Sequence, residues 1–233
     1  MGDDSSLKKN SVALFDFDGT LFDGHIWEAV MRYSARHRYK FPSALSYMVK
    51  HIPSYLLNRC RLVSDEAVFT HWGKDLAFIV GGLKREEASS LFRWLAEDEV
   101  LNRLRPGMIE VLHHHQSQGR TVVLLSGAFH ELLEVVGQRV GIFHVVGTRL
   151  EMLDGQYTGA IISPVCFGIN KVSLFKEYIN SIRLEIDFNS SFAYADSIVD
   201  TPMLEMVGNP VAVYPDRKLR RLALQRGWQL IEK

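Results

Sequence analysis

An apolar run, Val12-Ala13-Leu14-Phe15, meets two aspartates, Asp16 and Asp18, and then Gly19-Thr20. A short apolar run bounded by glycine has the pattern of a buried strand. Side chains alternate across a strand, so Asp16 and Asp18 share one side and Phe17 takes the other. Two carboxylates at a buried strand end repel each other and are costly to desolvate. A cation beside them removes that cost, and hard oxygen donors suit Mg²⁺. An ordinary Asp-Gly turn with both acids in water fits the stretch equally well. The rest of the chain has to decide between the two.

Downstream, the apolar pattern first turns helical and then alternates. Helical spacing begins near Ile26-Trp27 and is expected to break at Phe41-Pro42. It resumes from Ala44 to Leu57, bent or ended near Pro53, and again from Ser64-Asp65-Glu66 to Gly81-Gly82. A fourth helix is expected over Leu83 to Ala96. About seventy residues thus carry helices and no clear strand, which marks an inserted helical domain. From Arg105-Pro106-Gly107 a helix runs to about Gln118. Strands are expected at 121–125, 143–146, 192–195, 211–213 and 228–231, with helices at 131–138, 170–182, 202–206 and 216–225. Asp154-Gly155-Gln156-Tyr157-Thr158-Gly159 has the form of a hairpin turn. Such alternation gives a parallel sheet with helices on both faces. His113-His114-His115 does not form a metal site, because consecutive helical positions point about 100° apart; they read as surface and helix-end residues.

Composition narrows the function. Lys+Arg and Asp+Glu balance at 27 each, so the whole-chain charge makes no case for nucleic acid. Two cysteines, Cys60 and Cys166, make neither a disulfide framework nor a zinc cluster, and a reducing, cytoplasmic setting is expected. No apolar stretch is long enough to span a membrane, and no signal-peptide core is present. Met1 to Ser6 matches a short myristoylation pattern, for which a polar tail through Asn10 is the simpler reading.

The insert carries a charge anomaly. Between Ile26 and Arg61 lie Arg32, Arg36, Arg38, Lys40, Lys50, Arg59 and Arg61, against the single acid Glu28. Trp27, Tyr33, Tyr39, Phe41, Tyr47 and Tyr55 are interleaved with them. Three readings stand: an aromatic core with a solvated basic face, a positive field that draws an anionic substrate to the site, or a basic-aromatic surface that meets anionic lipid.

In a doubly wound sheet, ligands bind beyond the carboxyl ends of the strands. Asp16, Asp18, Ser126 and Asp196 fall at such ends, with Asp200 just after and Lys171 at a helix start facing the same crevice. Singly, each has an ordinary explanation as a cap, turn or solvated residue. Together they resemble the haloacid dehalogenase superfamily. Asp16-Phe17-Asp18-Gly19-Thr20 matches its first motif, Ser126 its second, Lys171 its third, and Asp196-Ser197-Ile198-Val199-Asp200 its fourth. The insert is similar to a type-1 cap, and the run 154–159 with Asp200-Thr201-Pro202 looks like the phosphoserine-phosphatase-like branch, subfamily IB.

The resemblance implies an α/β fold, a Rossmann-like parallel sheet from residues 1–24 and 101–233 with a helical cap at 25–100. It implies Asp16 as nucleophile forming an aspartyl-phosphate. Asp18 becomes the acid and base. Mg²⁺ sits on the Asp16 and Asp196 carboxylates and the Asp18 backbone carbonyl. Ser126, the Gly127 N–H and Lys171 hold the phosphoryl oxygens, and Asp200 orients the metal shell or Lys171. The expected activity is Mg²⁺-dependent hydrolysis of a small phosphomonoester; phosphoryl transfer to another acceptor and a non-catalytic binding module are the alternatives. Phosphoserine phosphatases carry a Glu nine residues after the nucleophile, and here that residue is His25; Val199 stands where they have Asn. Both departures count against phosphoserine. His25 is either a substrate contact or a packed loop residue, and the basic-aromatic cap admits a larger phosphomonoester, a lipid phosphate included.

Overall fold

The computed structural model describes residues 10–59 and 65–232. The Met1–Ser6 pattern, Cys60, Arg61 and the expected helix start at Ser64 lie outside the described residues.

Seven strands form one sheet in the order β4-β3-β2-β1-β5-β6-β7. They are β1 (Val12–Phe15), β2 (Thr121–Phe129), β3 (His144–Leu153), β4 (Gln156–Ile162), β5 (Phe192–Ala195), β6 (Asn209–Val213) and β7 (Gln229–Ile231). All neighbours run parallel except β3 and β4, an antiparallel hairpin. Its turn places Asp154 and Gly155 at φ 49° and 79°, the left-handed pair that a two-residue hairpin turn needs.

The first strand is central because it is apolar on both faces. Val12 and Leu14 pack with Phe175 and Ile179 of α7 (Ile169–Ser181) and Leu219 and Ala223 of α9 (Arg217–Arg226). Ala13 and Phe15 join the other layer, with Met108 and Leu112 of α5 (Pro106–Ser117) and Leu132 and Leu133 of α6 (His130–Val140). A strand covered on both faces reads as a continuous apolar run, and its four residues are all buried.

The insert between β1 and α5 contains α1 (Ile26–His37), α2 (Phe41–Arg59), α3 (Asp65–Leu76) and α4 (Arg85–Trp94). It holds no strand among the described residues. The break expected at Phe41-Pro42 lies just earlier, where Arg38 and Lys40 adopt φ 51° and 46°. Pro42 sits in the first turn of α2, where its missing N–H costs nothing. Pro53 lies inside α2 and does not end it. Gly81 is more than a helix stop: a Cβ there would meet the Gly159 Cα at 3.2 Å, so the insert packs directly on β4. Tyr157 N donates to Leu83 O at 2.9 Å, and Gly82 N to Tyr157 O at 2.7 Å. Entry and exit of the insert pair with each other: Asp23 N donates to Arg103 O and Arg105 N to Leu21 O, both at 2.8 Å.

His115 corrects the sequence reading. His114 is exposed, whereas His115 is 3% exposed and turns inward. Arg120 donates to Nδ1 at 3.3 Å, which leaves the ring proton on Nε2, 2.7 Å from the Tyr194 hydroxyl. Burial, then the Arg120 charge and His114, push His115 down to about 4. A histidine whose folded pKa is depressed contributes stability above its unfolded pKa and loses it as pH falls. Urea unfolding should therefore show the wild type losing up to about 2 kcal/mol through this residue between pH 7 and 5. A His115→Gln protein should show a correspondingly flatter dependence.

Candidate active site

The carboxyl edge of the sheet brings the predicted residues together. Asp16 follows β1 directly and is 5% exposed, with its N–H donating to Tyr194 O at 2.9 Å. Lys171 Nζ lies 2.6 Å from Asp16 Oδ1 and 2.7 Å from Asp200 Oδ1. Thr20 Oγ1 donates toward Asp16 Oδ2 at 3.1 Å and lies 3.4 Å from Asp196 Oδ1. Gly19, at φ 80°, shows why this turn takes glycine: a Cβ there would sit 2.2 Å from Asp196 Oδ2. Asp18 accepts from the Ile26 N–H at 3.1 Å and stands 3.9 Å from His25 Nδ1, while its Oδ1 is buried without a hydrogen-bond partner.

The other two motifs arrive on their own elements. Ser126 is buried within the last four residues of β2, where the pairing with β3 slips between Leu125 and Phe129. Such irregularities re-aim side chains at strand ends. Ser126 Oγ accepts from the Ala128 N–H at 3.2 Å, and Thr148 Oγ1 holds the Gly127 carbonyl at 2.8 Å. Asp200 closes a 3-10 turn, Ile198–Asp200, before the short helix α8 (Thr201–Leu204). Asp216 braces that turn by accepting from the Ile198 N–H at 2.8 Å.

Four carboxylates share this edge with one buried ammonium. Burial works against the Lys171 charge, but Asp16 and Asp200 outweigh it and hold the amine above its usual range. Burial, then Asp16 and Asp200, push Asp196 up to about 8. Burial pushes Asp18 up to about 7, against the pull of His25, and lifts Asp200 to about 6, against the pull of Lys171. The site is thus short of positive charge. One carboxylate oxygen from each of Asp16, Asp196 and Asp200 lies within 4.8 Å of the others. An all-oxygen donor set with an unmet need for positive charge fits a hard divalent cation.

Above the carboxylates, the cleft is walled by Ile26, Trp27, Tyr47, Trp72, Leu76 and Phe167, and it has an empty volume of about 940 Å³ that includes open solvent. Trp27 and Trp72 meet edge to face at 5.6 Å. His25 lines the cleft with its side chain half-exposed, which favours a substrate contact over a packed loop residue. The cap's bases do not line it. Arg32 pairs with Glu99 at 2.6 Å and Lys50 with Asp75 at 2.6 Å, while Lys40 Nζ binds the Phe78 carbonyl at 2.8 Å. Among the described residues no Arg or Lys of the cap lines the cleft wall. Thr20, Tyr47, Trp72, Phe167 and Asp216 were not singled out for the site. Thr20 was within reach as part of the first motif. The aromatic wall depends on how the insert folds back, which no local pattern encodes.

Residues 13–205 match the profile of the haloacid dehalogenase-like hydrolases, and the chain belongs to that family. It is 29% identical over 224 residues to the protein described as phosphoserine phosphatase SerB1 from Mycobacterium tuberculosis (strain ATCC 25618 / H37Rv), covering 94% of this chain and 70% of that protein. Among solved structures, a protein of unknown function from Bordetella pertussis Tohama I has a TM-score of 0.79 at 24% identity, over 96% of this chain and 99% of that one. A substrate-bound phosphoserine phosphatase has a TM-score of 0.66 at 18% identity, over 97% and 94% of the two chains. The fold is that of the phosphoserine-phosphatase-like branch, and the protein is an enzyme, a hydrolase of phosphoric monoesters.

Two outcomes test the charge analysis. A carboxylate whose folded pKa is raised destabilises the fold when ionised, so the protein without a divalent cation should lose stability as pH climbs from about 4 to 8. Asp196→Asn should lose less over that range. A divalent cation at a hundredfold excess over its dissociation constant should add about 2.7 kcal/mol to the wild type. Thermal melts should show that gain absent in Asp196→Asn and in Gly19→Ala.

Proposed function

We propose that this protein is a Mg²⁺-dependent phosphomonoesterase that works through an aspartyl-phosphate on Asp16. The observation that carries the reading is the unequal placement of the two first-motif acids. Both Asp16 oxygens are held, by Lys171 and Thr20, so the carboxylate is fixed in orientation at the floor of the cleft. Asp18 is anchored through Oδ2 alone and keeps a buried Oδ1 without a partner beside the same cleft. One acid is positioned to attack, the other to hand a proton over.

Asp16 attacks phosphorus and the ester oxygen leaves with a proton from Asp18. Asp18, now a carboxylate, takes a proton from the water that opens the phosphoaspartate. Ser126, the Gly127 N–H and Lys171 hold the phosphoryl oxygens as charge builds on them. Asp16 and Asp196, with the Asp18 backbone carbonyl, are the residues that would hold Mg²⁺, and Asp200 keeps Lys171 pointed at Asp16. The ion, when bound, neutralises the repulsion between the Asp16 carboxylate and the phosphate. Residues 25–100 serve as the cap over a core of 1–24 and 101–233; the paired segments at 21–23 and 103–105 support that division. A cytoplasmic setting suits the buried thiol of Cys166.

The cleft also bears on the substrate. Its charged side chains, among the described residues, are the four aspartates, Lys171 and His25. Among the described residues the cleft has no cap acid for an ammonium group, and His25 is its only cap side chain that can carry a positive charge toward a carboxylate, so the ammonium of phosphoserine finds no cap acid there. The aromatic wall favours an organic group that is apolar or aromatic.

With Mg²⁺, a phosphomonoester panel should give aryl and longer alkyl phosphates at least tenfold higher kcat/KM than phosphoserine. A preference for phosphoserine would overturn the substrate reading and leave the mechanism standing. Asp16→Asn should lower kcat by roughly 10³-fold or more, and Asp18→Asn by roughly 10²- to 10⁴-fold. Full activity in Asp16→Asn excludes the covalent route.

A further inference from the structure

The outer face of α2 is apolar and uncovered. Phe41, Leu45, Val49, Ile52 and Leu56 are 46%, 56%, 60%, 49% and 54% exposed. At about 100° per residue they fall within an arc of about 80° on the helix, a continuous stripe along its length. Ala44, Tyr47 and His51 occupy the opposite side and are buried toward the cap interior and the cleft. A helix whose inner face already packs has no structural need for a second apolar stripe, and a contiguous exposed one marks a docking surface.

Charge says what it docks on. Residues 26–61 carry seven bases against one acid, while the rest of the chain carries twenty bases against twenty-six acids. Glu99 and Asp75 pair with Arg32 and Lys50 and offset part of that excess, and the remainder lies on and beside α2. Helix α2 contains no acid. Arg36 and Arg38, exposed at the corner leading into Phe41, have no carboxylate partner among the described residues. A second copy meeting this face through a two-fold axis would set bases against bases. No helix among the described residues is long and apolar enough to cross a membrane. An apolar stripe flanked by free arginines instead has the make-up of a helix that lies in a headgroup layer.

We propose that α2 seats the protein on an anionic lipid surface, with Phe41, Leu45, Val49, Ile52 and Leu56 in the acyl boundary and Arg36 and Arg38 on the headgroups. This surface does not depend on the proposed chemistry, because none of these residues lines the cleft.

Co-sedimentation of the full chain with vesicles tests it, using equimolar phosphatidylglycerol and phosphatidylcholine against phosphatidylcholine alone. The wild type should bind the anionic vesicles at least tenfold more tightly. That binding should fall sharply in about 1 M salt, where the Debye length is about 3 Å. Leu45→Glu with Ile52→Glu should weaken it at least tenfold, and Arg36→Glu with Arg38→Glu at least threefold, with near-ultraviolet circular dichroism unchanged. Should the double apolar variant fail to fold, Val49→Glu alone gives the same readout. Absence of wild-type binding, or equal binding by the stripe variants, overturns the proposal. A wild-type dimer in sedimentation equilibrium that the stripe variants dissolve overturns it too, in favour of a second copy.

Discussion

The site depends on one buried ammonium. Lys171 is 1% exposed and contacts both Asp16 and Asp200 from the first turn of α7. Without it, three neighbouring carboxylates would face one another with no cation among the described residues at their oxygens. Removing one partner of a buried charge set leaves the others uncompensated, which costs about 3–5 kcal/mol. Such a cluster is poor at adding stability and good at specifying position. Its geometry explains why β1 stops where it does, why Gly19 must be glycine, and why the turn at Ile198–Asp200 is braced by Asp216. The lysine still leaves the carboxylates in excess; burial raises Asp18, Asp196 and Asp200, and Asp16 and Asp200 add to the rise at Asp196.

The core was legible because its signals are local and strong. The run Val12–Phe15 is apolar at every position, so it had to be a strand covered on both faces, and it is the central one. Pro106 at a helix start and Asp154-Gly155 at a hairpin turn carry backbone preferences that tertiary context did not override. The four motifs were legible for a further reason: in a parallel sheet, alternation puts every strand's carboxyl end on one edge, so residues 180 positions apart become neighbours without any knowledge of packing.

What stayed hidden depends on packing between distant segments. His115 looked like part of a surface histidine run, and only the approach of Tyr194 and Arg120 makes it a buried neutral ring. Pro53 is compatible with a bend or an end of the helix; the inner face of α2, anchored by Tyr47 and His51, carries the helix past it. Among the described residues the bases of the insert do not line the cleft; several are engaged with Glu99, Asp75 and backbone carbonyls, and aromatic rings form the wall. Sequence gives the count of such charges and rings but not which side of the cap each one faces.

On the proposed mechanism, the carboxylate held by Lys171 and Thr20 becomes covalently phosphorylated during turnover. The direct measurement is acid quenching of the Mg²⁺-loaded enzyme while it hydrolyses a phosphomonoester, followed by peptide mapping in a mass spectrometer. The account predicts one added phosphoryl group on the peptide that contains Asp16, absent from an Asp16→Asn control. Steady turnover with Asp16 unmodified and the phosphoryl group instead on Ser126 or His25 would contradict it.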